Sequence, residues 1–145
     1  MEESTSTEKN KKTSTIVASV VGVIVSLFIS QFFFRAPSFD KQLIAAANEL
    51  NKTCPIFVDR DTRLDNAVSP KADEFHYNYT LINLTESTID PHLKDQMTPN
   101  LTNVVRTNPG MKIFRDNDVT VVYNYKDKDG VFLFRISISP RDYKE

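Results

Sequence analysis

The stretch EFHYNYTLINL, Glu74–Leu84, is the clearest strand in the sequence. Apolar and polar residues alternate along it, which is typical of a strand with one buried face and one exposed face. The apolar side consists of Phe75, Tyr77, Tyr79 and Leu81, and the polar side of His76, Asn78 and Thr80. The sequence therefore predicts a sheet that packs one face against a core.

Further strands lie on both sides of this one. Downstream, VTVVYNY and VFLFRISIS flank KDKDG, in which Asp129-Gly130 is typical of a hairpin turn. In the last strand one face is predicted to consist of Phe132, Phe134, Ile136 and Ile138. Upstream, IFVDRDTRLDNAV predicts a strand that is broken near Arg60, and Ser69-Pro70 predicts the turn that ends it.

Helices fill the remaining segments. Apolar residues recur at helical spacing over Ser38–Lys52, and Ser38 is a suitable first cap. Asp90-Pro91 and Thr98-Pro99 each predict the start of a helix, because proline is tolerated at the first helical position. The fold class is therefore predicted as α+β, with an antiparallel sheet of about four strands and two or three helices packed on one face.

The N-terminal part contains a long uncharged apolar run that the rest of the chain lacks. The run from Ile16 to Phe34 has no charge and no proline, and as a helix it would be roughly 28 Å long, close to the thickness of a bilayer core. A signal peptide has a shorter apolar region and small residues before its cleavage site, where this chain has Phe34. We predict a disordered cytoplasmic tail at 1–15, a transmembrane helix at 16–35 and an extracytoplasmic domain at 36–145.

Flanking charges predict the orientation of that helix. Lys9, Lys11 and Lys12 precede the run, whereas Arg35 and Lys41 follow it, so the positive-inside rule puts the tail in the cytoplasm. In a bacterium the chain would then be a single-pass protein of the inner membrane with a periplasmic C-terminal domain. The lipid bilayer is thus its first predicted partner.

Small residues recur every four positions in this predicted helix, at Ala18, Gly22, Ser26 and Ser30. On one helix face they would let a second membrane helix approach closely. Small residues are also common in membrane helices generally, so the pattern has a purely structural explanation as well.

Composition excludes some classes of function. The chain has 145 residues, 40% of them hydrophobic and 26% charged, with a formal net charge of -1. After the apolar run, basic residues do not outnumber acidic ones. Nucleic-acid binding is therefore not expected, since it depends on clustered Lys and Arg.

No motif for a phosphate, a dinucleotide or a catalytic zinc or serine is present, so no cofactor and no catalytic residue is predicted. DRDTRLD, Asp59–Asp65, has acidic spacing, but Arg63 and Leu64 take the fifth and sixth positions of an EF-hand loop, and no metal site is predicted. A cross-strand ion cluster centred on Arg63 is the alternative. The predicted contact face for a partner consists of Arg60, Arg63, Asp65 and Tyr77.

Cys54 is the sole cysteine. It can form a disulfide only with another molecule, and two copies anchored side by side would allow a covalent homodimer. A small buried apolar residue at the end of a helix is the commoner role, since unpaired cysteine is among the most buried residue types. A catalytic thiol would need a nearby base, and neither His76 nor His92 lies in a recognisable motif.

Three segments carry a resemblance: CPIFVDRDTRLDNAV, FHYNYTLINL and VRTNPGMKIFRDNDVTVVYNYKDKDG. They resemble small bacterial membrane-anchored proteins labelled hypothetical, over Leu43 to Tyr143. The resemblance implies a setting in the bacterial envelope and carries no activity.

The leading functional hypothesis is a non-enzymatic accessory protein that contacts another envelope protein or a second copy of itself. Two alternatives stay open at this point. One is a small hydrolase that uses Cys54 or a carboxylate. The other is a ligand sensor in which the aromatic strand face lines a pocket.

Overall fold

The computed structural model describes residues 38–145. Five strands and four α-helices occur in this part of the chain. In chain order they are α1 (Phe39–Asn51), β1 (Ile56–Phe57), β2 (Thr62–Lys71), β3 (Glu74–Leu81), α2 (Leu93–Thr107), a 3-10 turn (Pro109–Met111), α3 (Lys112–Asp116), β4 (Thr120–Asp127), β5 (Phe132–Ile138) and α4 (Pro140–Lys144).

The first helix forms as predicted. Its buried residues are Leu43, Ala46, Ala47 and Leu50, which recur at helical spacing on one face. At its end, the side-chain amide of Asn51 donates to the Ala67 carbonyl at 2.8 Å and accepts from the Ala67 N–H at 2.7 Å. Asn51 therefore ties α1 to the edge of β2 by satisfying backbone groups that a further strand would otherwise occupy.

The α+β class is confirmed, but the sheet is mixed and has five strands. The strand order is β1-β2-β3-β4-β5, and the central β3 and β4 are parallel. The sequence predicted an antiparallel sheet because both flanking pairs are hairpins. The prediction was wrong at the centre, where α2 and α3 form a crossover that returns the chain to the same end of the sheet.

Of the two turns predicted in the first half of the sheet, one is confirmed and one is displaced. The break near Arg60 is confirmed, because β1 ends at Phe57 and β2 begins at Thr62. The turn predicted at Ser69-Pro70 lies further along, since β2 continues to Lys71. A register irregularity between Val68 and Lys71 accommodates the proline, which is where a strand tolerates one.

The second helical segment is one helix rather than two. Leu93–Thr107 is continuous, with Pro99 inside it. Pro99 cannot donate to the Asp95 carbonyl, and the side chains on either side of it bond to the neighbouring carbonyls instead: Thr98 donates to the Lys94 carbonyl at 2.7 Å, and Asn100 donates to the Gln96 carbonyl at 3.4 Å.

The final hairpin forms with Gly130 at φ 86, as its Asp-Gly turn predicts. Asp127 fixes the turn by accepting from the N–H groups of Asp129 and Val131 at 2.9 and 2.8 Å. A register shift after Tyr125 puts Phe132 opposite Lys126. The prediction that Phe132 shares a face with Phe134 was therefore wrong.

The helices cover only one of the two faces of the sheet. Every helix contributes to one core, which covers the face that carries the apolar side chains of β3, β4 and β5. Its centre is a set of aromatic rings, and the pairs Tyr77–Tyr123 and Tyr79–Tyr125 stack at centroid distances of 5.5 and 5.2 Å. We call this side the aromatic face.

Within residues 38–145 no helix is long and apolar enough to cross a membrane. The predicted tail at 1–15 and the predicted transmembrane helix at 16–35 lie outside the described residues, and the described part begins just inside the predicted 36–145 domain.

Candidate functional site

The candidate site is the sheet face opposite the helices, which we call the open face. Cross-strand pairing aligns its side chains in three rows: Val68, His76, Val122 and Ser137; Asn66, Asn78, Asn124 and Arg135; and Phe57, Arg63, Thr80, Lys126 and Phe132. Directly paired residues in a sheet share a face, so each row runs across the strands on one surface.

The middle row is joined by side-chain hydrogen bonds, and we call it the amide ladder. Arg135 Nε donates to Asn124 Oδ1 at 2.7 Å, and Asn124 donates to Asn78 Oδ1 at 2.9 Å. Asn78 in turn donates to Asn66 Oδ1 at 2.7 Å. A continuous chain of polar contacts therefore crosses β5, β4, β3 and β2.

Arg135 fixes the direction of the amide ladder. A guanidinium group only donates, so the oxygen of Asn124 must face it. The nitrogen of Asn124 then faces Asn78, and the same orientation passes on to Asn66. Aligned hydrogen bonds polarise one another. The side-chain NH2 group of Asn66, at the end of the ladder, is therefore a stronger hydrogen-bond donor than an isolated amide.

The row beside the amide ladder contains an ion cluster. Asp65 occupies the bulge between Leu64 and Asn66 in β2. Its carboxylate accepts from Arg63 at 2.6 Å and from the Thr80 hydroxyl at 2.6 Å, and it lies 3.1 Å from Lys126 Nζ. We call this group the Asp65 cluster.

Burial would raise the pKa of the Asp65 carboxyl, but the hydrogen bonds from Thr80, Arg63 and Lys126 outweigh burial and hold its pKa below the usual range. The carboxylate therefore stays charged at neutral pH and holds two cations on the open face. A carboxyl group that donates a proton in catalysis would need the opposite shift, so the lowered pKa argues against that role for Asp65.

Apolar side chains form the rim of this face. Phe57 and Phe132 stand at the two ends of the outer row and are 60% and 59% exposed. Between Phe132 and the amide ladder lies a shallow depression of about 450 Å³, which His76 and Lys126 also line.

The four predicted partner residues lie in three different places. Arg63 and Asp65 lie together on the open face, in a cluster centred on the aspartate rather than on Arg63. Arg60 is exposed in the turn between β1 and β2. Tyr77 is 1% exposed and lies in the core on the aromatic face, so its inclusion in a contact surface was wrong. Strand alternation had placed Tyr77 correctly on the apolar side.

The aromatic side chains of β3 and β4 pack into the core. Tyr77, Tyr123 and Tyr125 are buried, and Tyr125 stacks on Phe134 at 4.9 Å. The ligand-sensor hypothesis relied on this face being accessible, and the packing of the rings removes that basis.

Cys54 is partly buried and packs against the core. Burial, with a smaller effect from Asp65, raises the pKa of its thiol. A raised pKa disfavours the thiolate that a nucleophile needs. The intermolecular disulfide stays a prediction.

Two further predictions concern other sites. Among residues 38–145, no group of three or more His, Cys, Asp and Glu side chains is arranged to hold a metal ion. The predicted contacts between membrane helices, at Ala18, Gly22, Ser26 and Ser30, lie outside the described residues.

Sequence reasoning missed Asn66, Asn124 and Arg135. A signal was present for Asn124 and Arg135, because each is the polar residue between apolar neighbours in a predicted strand. Asn66 follows Asp65 and reaches the same face only through the bulge in β2. Recognising that they form one row required the register of four strands, including the parallel pair that the sequence did not reveal.

The sequence matches a family model described as a domain of unknown function over residues 38–134. The chain belongs to this family, DUF8479. The resemblance to proteins without an assigned function is thereby confirmed, over nearly the same residues as the segments that suggested it. No curated protein matches the sequence.

Solved structures share the fold of this DUF8479 member. The pilotin EpsS of the Vibrio vulnificus type 2 secretion system has a TM-score of 0.60 at 9% identity, covering 74% of this chain and 93% of that one. The type II secretion pilotin AspS of Vibrio cholerae has a TM-score of 0.55 at 9% identity, covering 72% and 91%. A candidate secreted protein of Pseudomonas aeruginosa has a TM-score of 0.57 at 12% identity, covering 74% and 98%.

Proposed function

We propose that this DUF8479 protein is a non-enzymatic accessory protein of the bacterial cell envelope whose open face binds another polypeptide. The observation that carries the proposal is the amide ladder with the Asp65 cluster beside it. Together they form a pre-arranged polar surface across four strands, left uncovered by the helices. Protein interfaces are enriched in aromatic residues and arginine and carry about ten direct hydrogen bonds, and this face presents Phe57, Phe132 and Arg135 beside a row of hydrogen-bonding groups.

The comparisons support the envelope setting. Two proteins with this fold are named as pilotins of type 2 secretion systems, and a third as a candidate secreted protein. Secretion-system components act through contacts with other envelope proteins, which favours an accessory role over catalysis for this chain. A homodimer through the same face is the alternative partner.

Anchoring is the second part of the proposal. The apolar run Ile16–Phe34 would hold the chain in the inner membrane, with the domain in the periplasm. As α1 begins at Phe39, the domain would lie close to the bilayer. Its open face would then be presented to proteins at the membrane surface.

Photocrosslinking in intact cells tests both parts. A photoreactive amino acid at Val68 or Ser137, both on the open face outside the amide ladder, should give one discrete adduct that remains in carbonate-washed membranes. Matched positions on the helical side, Asn103 and Lys112, are also exposed and should not give it. Equal adducts from both sides, or none from the open face, would overturn the binding proposal. An adduct released by carbonate would overturn the anchor.

A further inference from the structure

The open face has an excess of hydrogen-bond donors. In the amide ladder, the amides of Asn78 and Asn124 each keep one N–H that the ladder does not use, and Asn66 keeps two. Arg135 uses only its Nε within the described residues, which leaves both terminal NH2 groups available. On the acceptor side, each of the three amide oxygens of the ladder accepts one hydrogen bond and keeps only one further lone pair. A ligand that satisfies this row must therefore supply acceptors.

The charge on the same surface has the matching sign. Arg63 and Lys126 share a single carboxylate, Asp65, so the Asp65 cluster is positive overall. Arg135 has no acidic partner among residues 38–145. Acidic residues outnumber basic ones over the domain as a whole, so positive charge is concentrated on the open face.

Arg135 is also held in a receptive orientation. Asn124 binds its Nε, so the side chain is held at that atom while both terminal NH2 groups stay available, and such a pair fits a carboxylate as a fork. Holding the side chain in place in advance reduces the entropy lost on binding. Phe132, exposed at the rim, offers apolar contact to the same ligand.

We propose that the open face binds an acidic polypeptide segment, with a partner carboxylate on Arg135 and acceptor groups along the amide ladder. This inference rests on the proposed function and specifies the partner's chemistry. Nucleic acid is a poorer fit, because a phosphate backbone needs more cations than Arg63, Lys126 and Arg135 provide. An anionic lipid surface is disfavoured for the same reason, since the domain carries no polybasic cluster.

Fluorescence anisotropy tests the proposal with the full chain in phosphatidylcholine nanodiscs. The probe is a labelled ten-residue peptide of alternating Glu and Ser, and the matched peptides carry Gln or Lys in place of Glu. The Glu peptide should bind at least about tenfold more tightly than either control. Its affinity should fall as salt is raised, because charge pairing at a surface is screened.

Variants of the same full chain locate the site. Arg135→Gln should weaken binding of the Glu peptide about tenfold, which corresponds to about 1.4 kcal/mol. Arg135→Lys should fall between, because it keeps the charge and loses the fork. The matched control is Arg141→Gln, an exposed arginine on α4, and it should bind as the wild type does. Circular dichroism verifies that each variant is folded.

Three results would overturn the proposal. They are equal binding of the Glu and Gln peptides, equal losses in Arg135→Gln and Arg141→Gln, and binding that appears only when phosphatidylglycerol replaces phosphatidylcholine. In each case, open-face crosslinks that persist in cells would leave the proposed function intact and remove only the acidic partner. Absence of those crosslinks would remove the proposed function itself.

Discussion

The two faces of the sheet differ in the kind of contact that their side chains make. On the aromatic face, Tyr77 and Tyr123 are buried and stack on each other, and their hydroxyls have no hydrogen-bond partner within residues 38–145. On the open face, directly across the backbone, Asn78 and Asn124 are partly exposed and joined by their side chains. The same two strands therefore contribute apolar packing on one side and directed polar contacts on the other.

This difference separates stability from recognition. The aromatic face removes large apolar surfaces from water, which is the dominant favourable term in folding. Hydrogen bonds of the amide ladder exchange with bonds to water, so their net effect on stability is small. A substitution on the aromatic face should therefore act on folding, and one on the open face should act on binding.

The largest expected effect is Tyr77→Ala. Removing this ring leaves a cavity in the core and should lower the free energy of unfolding by about 3–5 kcal/mol. Tyr77→Phe is the matched control, and it should be neutral or slightly stabilising, because it removes only a buried hydroxyl without a partner in the described chain. Urea denaturation followed by circular dichroism measures both. A cost above about 1 kcal/mol for Tyr77→Phe would mean that the hydroxyl is bonded.

Asp65→Asn should have an intermediate effect. The change leaves Arg63 and Lys126 without their shared carboxylate, and we expect a loss of about 1–2 kcal/mol, limited because both cations are partly exposed. The control Asp116→Asn breaks an exposed ion pair with Lys112 and should cost less than about 0.5 kcal/mol. Equal losses in the two variants would show that the Asp65 cluster does not differ from a surface pair.

The effect of Asp65→Asn should depend on pH in a definite direction. The folded-state pKa of Asp65 is below its ordinary value of 3.8, so its contribution is fully present above about pH 4. It is lost as pH falls through the lower, folded-state pKa, where the carboxylate becomes protonated in both states. The stability difference between wild type and Asp65→Asn should thus shrink in acid, and a constant difference would contradict the assignment.

Local patterns predicted much of the fold. Alternation assigned Tyr77 and Asn78 to opposite faces, helical spacing gave α1, and Asp129-Gly130 gave the final hairpin. Each depends on residues that are neighbours in the sequence. The interpretation of Tyr77 as a contact residue was wrong for a different reason: a tyrosine on an alternating strand has a polar end, but burial of its face decides whether a partner can reach it.

Long-range features could not be predicted in this way. The pairing of β3 with β4 joins residues far apart in the chain, and only the path of the crossover decides that they run parallel. Bulges had a similar effect, because one extra residue in β2 moved Asn66 onto the open face and one in β5 moved Phe132 away from Phe134. The candidate site consists largely of such features.

The smallest expected effect on stability is Asn124→Ala, in the middle of the amide ladder. It removes the bonds to Asn78 and Arg135, but both partners can turn to water, so we expect a loss of about 1 kcal/mol in urea denaturation. Ser137→Ala, also on the open face, is the control and should lie within about 0.5 kcal/mol of wild type. Binding of the Glu peptide should nevertheless weaken markedly in Asn124→Ala, because Arg135 loses the contact that orients it. If Asn124→Ala instead destabilised the fold as strongly as Tyr77→Ala and left peptide affinity unchanged, the amide ladder would support the sheet, and the functional division between the two faces would be wrong.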